Sequence, residues 1–116
     1  MVIRRRLLEP AVATFVATAA LHLPIEVPAA ADAPVVIEIK GFEYGPESPA
    51  VAVGDVVIWR NLDIVPHSVT AVDDSWDSGL IAAGGRWQTV ATEAMVRDYY
   101  CRFHPTMTAS LKIDSY

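Results

Sequence analysis

Beyond its first 31 residues the chain holds one cysteine, two histidines and two methionines. Three of these five fall in a single octet, Cys101-Arg102-Phe103-His104-Pro105-Thr106-Met107-Thr108. The other histidine, His67, lies 34 positions before Cys101, directly after Pro66. Taken one at a time, each has an ordinary explanation. A lone histidine is commonly a solvated or hydrogen-bonded residue, a free cysteine packs as a small hydrophobe, and a methionine fills core space. Cys101 is also open to an intermolecular bridge, because a single cysteine cannot close an internal disulfide. Together, one Cys, two His and one Met are the donor set of a trigonal copper site with a weak axial thioether. The thiolate of Cys101 is soft and suits both copper oxidation states, the imidazoles of His67 and His104 are intermediate nitrogen donors, and Met107 offers a weak sulfur that tunes the potential. A Cys-x2-His-x2-Met loop can curl three donors to one side of an ion, so the fourth must come from another strand. With four protein donors there is no open position for a substrate, and such a site transfers electrons rather than converting a ligand.

The elements that must hold these donors read as strands and turns, with no sustained apolar repeat at helical spacing. Residues 35–44 begin with Val35, Ile37 and Ile39 alternating against Val36, Glu38 and Lys40, the period of a half-buried strand. Gly45-Pro46-Glu47-Ser48-Pro49 is a turn cluster. Val51 and Val53 belong to a short extended piece that ends at Gly54-Asp55, and residues 56–61 are β-branched and aromatic, as strands are. Further strands are expected at 68–72, 86–92, 96–101 and 109–114, with a polar loop at 73–79. Seven or eight short strands spaced about ten residues apart predict an all-β sandwich or barrel.

The first third is different. Arg4-Arg5-Arg6, a mostly apolar run over 7–23, and the small residues Ala29-Ala30-Ala31 have the three-part order of a secretory signal peptide, with the cut expected after Ala31. Glu9, Pro10 and His22 interrupt the run, which is short for a membrane span of about 20 residues. Arg4-Arg5-Arg6-Leu7-Leu8 is also loosely similar to a twin-arginine signal. The division expected is therefore a leader, 1–31, and one domain, 32–116, in a periplasmic or secreted protein with no span in its mature form. Of nine Lys and Arg the leader takes three, and of fourteen Asp and Glu it takes Glu9 and Glu26, so six basic residues face twelve acidic ones in the domain. That acidic balance argues against nucleic acid as a partner, because phosphate binding needs a basic face. About 85 residues bury a modest core, and a bound metal would add to its stability.

Gly54-Asp55-Val56-Val57-Ile58-Trp59-Arg60-Asn61-Leu62-Asp63-Ile64-Val65-Pro66-His67-Ser68-Val69 resembles the first-ligand region of the plastocyanin, pseudoazurin and amicyanin group of cupredoxins. Asp98-Tyr99-Tyr100-Cys101, His104-Pro105 and Met107 are similar to the C-terminal ligand loop, with the short His-to-Met gap of amicyanin. The resemblance runs from Val35 to Asp114. It implies a Greek-key β-sandwich with one copper ion at one end, cycling between Cu(I) and Cu(II), and His67, Cys101, His104 and Met107 as its ligands. It further implies that the Ser68 N–H donates to the Cys101 sulfur, although relatives often carry Asn there and the side-chain brace is open. Pro66, Phe103 and Pro105 would stiffen the loops and form a small apolar patch around the His104 edge, where electrons enter and leave. Transient redox partners, one donor and one acceptor, and a monomeric state are expected. The chain departs from the group at Ala94-Met95, where relatives have a Pro-Gly turn, and at Arg97, where an aromatic residue is common.

The rival function is a periplasmic copper chaperone or storage protein, which would favour added Met or His clusters that the chain lacks. A copper oxidase domain would need further His-x-His pairs, and a zinc-binding or metal-free adhesion sandwich would not need the whole donor set. Trp59, Trp76 and Trp87 read as packing rather than as an electron path. Asp73, Asp74 and Asp77 lack the glycine and terminal glutamate of a calcium loop, and Arg97 and Arg102 read as surface charges.

Overall fold

A computed structural model describes residues 2–3, 10–21, 23 and 33–114. The expected cut after Ala31 lies outside these residues. No helix among them is long and apolar enough to cross a membrane.

Residues 33–114 fold as nine short strands: β1 (Val35–Lys40), β2 (Glu43–Gly45), β3 (Ala50–Ala52), β4 (Val56–Asn61), β5 (Thr70–Ala71), β6 (Arg86–Val90), β7 (Asp98–Cys101), β8 (His104–Ser110) and β9 (Lys112–Asp114). One sheet has the order β2-β1-β4-β6, the facing strands are β5-β7-β8, and β3 pairs with β9. β1 runs parallel to β4, with Ile37 opposite Trp59 and Ile39 opposite Asn61, and β3 runs parallel to β9. The core lies between the layers, and Ile37, Ile39, Val57, Trp59, Val69 and Tyr99 have no exposed surface. The all-β sandwich expected from the strand spacing is the fold observed.

The count exceeds seven or eight because two expected strands are each broken. Residues 35–44 turn back at Gly41-Phe42, so that Lys40 pairs with Glu43 in an antiparallel hairpin. Residues 109–114 divide at Leu111, whose side chain is buried while its N–H donates to the Arg97 carbonyl. Elsewhere the period-2 pattern is sound: the buried positions of β1 are Ile37 and Ile39, and those of β4 are Val57, Trp59 and Asn61. The Ala94-Met95 departure is also resolved. Met95 is buried in the core, and the Arg97 guanidinium donates to the carbonyls of Glu93 (3.2 Å) and Met95 (2.9 Å). Arg97 is thus half-buried and closes that turn, where the sequence suggested a plain surface charge.

Candidate metal centre

The β7–β8 hairpin brings two of the expected donors face to face. Cys101 ends β7 and His104 opens β8, paired across Arg102-Phe103. The register running Asp98↔Ser110, Tyr99↔Ala109 and Tyr100↔Thr108 would place Cys101 opposite Met107, yet Cys101 pairs with His104. Residues 105–107 are therefore extra length on β8, a bulge of the kind that re-aims side chains. Pro105 suits it, having no N–H to give to a ladder. Met107 follows with its side chain buried, and it lines a groove of about 450 Å³ together with His104 and Phe42.

His67 comes from the other side of the site. It follows the loop after β4, and its backbone exchanges N–H···O bonds with Ile81 (3.1 and 2.7 Å), which fixes its position. Asn61, fully buried, holds the same loop by donating to the carbonyls of Val65 (2.8 Å) and Ile81 (3.0 Å).

The donor atoms of His67, Cys101 and His104 all lie within 4.8 Å of one another. The Cys101 Sγ is 3.7 Å from His67 Nδ1 and 3.6 Å from His104 Nδ1. Bonds of about 2.3 Å to sulfur and 2.0 Å to nitrogen, opening at about 120°, leave their ends about 3.7 Å apart. Both sulfur-to-nitrogen distances are therefore those of ligands of one ion. The His67 ring is also set correctly. Its Nε2 lies 2.7 Å from the Asp63 Oδ2, and a carboxylate only accepts, so Nε2 is a protonated nitrogen and Nδ1 is the one turned toward the Cys101 sulfur. Partial burial pushes the Asp63 carboxyl up, but the N–H groups of Phe42 and Gly41 and the His67 ring outweigh it and hold it below the usual range. Carboxylate–imidazole pairs of this kind fix ring orientation at metal sites.

Around the sulfur, the Ser68 N–H donates to Cys101 Sγ (3.3 Å), as the resemblance implied. The brace left open by the Asn-to-Ser difference is present in another form. The Ser68 Oγ accepts from the Arg102 N–H (2.8 Å) and pairs with the Thr70 hydroxyl (2.9 Å), which donates to Asp77 (2.8 Å). Arg102 also reaches Asp74 (2.7 Å) and Asp77 (3.3 Å) with its guanidinium, so the 73–79 loop grips the hairpin tip. The Tyr44 hydroxyl donates to the Ser68 carbonyl, and burial followed by the Cys101 charge pushes its pKa up. Tyr44 is thus held as a neutral donor.

Cys101, His67 and Ser68 have no exposed surface and Met107 is 5% exposed, whereas His104 is half-buried. Pro66, Phe103 and Pro105 are exposed near it, so three of the four flanking residues singled out in the sequence face solvent and Ser68 faces the sulfur. Trp59 is wholly buried and Trp76 and Trp87 pack on it, with ring centroids 6.0 and 5.5 Å away, as core packing requires. Sequence reasoning missed Asp63 and Phe42. A lone glycine inside a strand pattern, Gly41, was the available sign that the chain turns there.

No protein-family model matches the chain. Among curated proteins it is 30% identical to amicyanin of Paracoccus denitrificans over 115 residues, covering 88% of each chain. It is 27% identical to amicyanin of Paracoccus versutus over 94 residues, covering 74% of this chain and 71% of that protein. Among solved structures, an oxidized amicyanin point mutant superposes with a TM-score of 0.66 at 28% identity, covering 72% of this chain and 85% of that one. A purple cupredoxin from Nitrosopumilus maritimus superposes with a TM-score of 0.64 at 28% identity, covering 69% of this chain and 99% of that one. With His67, Cys101 and His104 gathered at one end of a β-sandwich and its likeness to amicyanin along most of its length, the chain belongs to the amicyanin family of cupredoxins.

Proposed function

We propose that this protein is a one-electron carrier that holds a single copper ion on His67, Cys101, His104 and Met107. The observation that carries this is the convergence of Cys101 Sγ, His67 Nδ1 and His104 Nδ1 within 4.8 Å, with ring and sulfur each fixed by a hydrogen bond from the surrounding chain. Bound copper supplies the Cu(II)/Cu(I) couple, and the thiolate and imidazoles of this set serve both states. The chain's own part is to keep the donors still. Asp63 sets the His67 ring, Ser68 N–H and the hairpin register set Cys101, and the Ser68–Thr70–Asp77–Arg102 network holds the loop between the ligands. A frame that does not rearrange favours rapid electron exchange over chemical conversion, so the protein carries electrons and is not itself an enzyme.

His104, half-buried beside exposed Phe42 (48%) and Phe103 (47%), is the edge through which electrons pass. A small apolar patch suits brief encounters with a donor and an acceptor protein. Residues 1–31 act as an export signal, the mature domain is 32–116, and it works as a monomer outside the cytoplasm. The test is stepwise addition of Cu(II) to the mature protein, followed by visible and EPR spectra. An intense blue thiolate-to-copper band saturating at one equivalent, and lost in Cys101→Ser, is expected. A colourless protein, or one with only ordinary cupric signals, would move the function to copper storage or to metal-free binding.

A further inference from the structure

Phe42 occupies a backbone position that bulky residues avoid. The β1–β2 hairpin turns through Gly41 and Phe42, with φ of 60° and 61°. A two-residue turn with both central φ values positive favours Gly or Asn, and a side chain branching into an aromatic ring is strained there. Strained residues of this kind concentrate where function holds them. Nor does burial explain the choice, since Phe42 is 48% exposed.

Two further observations say what holds the turn and what it faces. The Asp63 carboxylate accepts from Gly41 N–H (2.7 Å) and Phe42 N–H (3.0 Å), and its Oδ2 also meets His67 Nε2 at 2.7 Å. The Phe42 ring stands nearly perpendicular to both imidazoles, with centroids 5.3 Å from His67 and 4.8 Å from His104 and interplanar angles of 88°. The two imidazoles are themselves 5.0 Å apart. One aromatic ring therefore packs on both histidines, and one carboxylate ties its backbone to the first of them. His67 has that carboxylate and a buried setting to fix it. His104 is half-buried and has the Phe42 ring packed edge-on against it.

We infer that Phe42 is a positioning residue: an aromatic stop, anchored by Asp63, that keeps the His104 imidazole turned toward the Cys101 sulfur. Its consequence for electron transfer rests on His67 and His104 being the copper donors proposed above, but the stop belongs to the polypeptide and exists without metal. Phe42→Gly separates positioning from packing, because glycine relieves the strain at φ 61° while removing the ring. The metal-free variant is expected to unfold at or above the wild-type midpoint, with a lower order parameter for the His104 ring by NMR relaxation. In the copper-loaded variant the EPR hyperfine splitting and visible band ratio should change, and the Cu(II):Cu(I) ratio at fixed potential should shift at least threefold. Phe42→Tyr should restore the ring order parameter, both spectra and the copper ratio. Asp63→Ala should speed amide exchange at Gly41 and Phe42 at least tenfold. Unchanged His104 ring motion in metal-free Phe42→Gly would overturn the inference. So would a loss of stability in step with the spectral change, which would reduce Phe42 to packing. Should the wild-type protein develop no blue band, the electron-carrier function fails, while the ring-motion measurement on metal-free protein still decides the role of Phe42.

Discussion

Ser68 shows how much a single residue does at this site. Its N–H reaches the sulfur, its carbonyl accepts from Tyr44, and its hydroxyl accepts from the Arg102 N–H while pairing with Thr70. A serine is shorter than the asparagine common in relatives, and the gap is bridged by a chain of hydroxyl and carboxylate groups, Thr70 then Asp77. Removing the hydroxyl in Ser68→Ala leaves the partly buried Arg102 N–H and the Thr70 hydroxyl short of a partner. An unmet buried polar group costs about 1–3 kcal/mol. Urea unfolding of metal-free Ser68→Ala should show a loss in that range, and a stability equal to wild type would mean that water replaces the hydroxyl at no cost.

At the scale of elements, the sheet edges and turns place the donors more than the strands do. β7 and β8 are an ordinary antiparallel pair until Tyr100, and the three residues of added length on β8 then decide that His104, not Met107, faces Cys101. The preceding turn shows the same dependence on local hydrogen bonds. Where relatives use Pro-Gly, Arg97 reaches back to the carbonyls of Glu93 and Met95 and receives the N–H of Leu111 on its own carbonyl. Each such bond contributes about 0.5–1.5 kcal/mol net. Arg97→Ala should therefore destabilise the metal-free protein by about 1–2 kcal/mol while leaving the copper spectrum unchanged, because the turn sits at the start of β7 and the donors at its end. Thermal unfolding together with the visible spectrum separates the two outcomes, and a spectral change in Arg97→Ala would show that the turn sets the ligand loop.

For the molecule as a whole, two carboxylates tie the loops at the site end to the sandwich. Asp63 is held low by the means already given. Asp77, pushed up by its partial burial, is held low by the Thr70 hydroxyl, the Gly79 N–H and Arg102. A carboxyl whose pKa is lower in the folded than in the unfolded state contributes its full stabilisation above the unfolded value, near 3.9 for Asp. That contribution is lost as the pH falls through the depressed folded value. The unfolding midpoint of the metal-free protein should then be nearly level from about pH 7 to 5 and fall below about pH 4. Asp77→Asn should start lower and fall less steeply. An Asp77→Asn protein that tracks wild type throughout would show that Asp77 does not anchor the 73–79 loop.

The sequence by itself singled out the candidate donors and determined the fold class. One cysteine, two histidines and a methionine at these intervals are few enough to name individually, and strand alternation is a local property of period two that survives in β1 and β4. It could not determine the breaks at Gly41-Phe42 and Leu111. Gly41 hints at a turn without fixing it, and Leu111 continues to look like a strand; the positive φ values end the one and the bond to a distant neighbour ends the other. Nor could it assign Asp63, Phe42 or the Arg102 network. Asp63 meets an amide 22 residues away, and Arg102 meets Asp74 and Asp77 at separations of 28 and 25. Charge and aromaticity look alike in a sequence whether a group is solvated or aimed at a ligand. The tertiary structure decides between them, because closing the sandwich brings the β1–β2 turn, the loop before His67 and the β7–β8 hairpin to the same end, where each restricts the others.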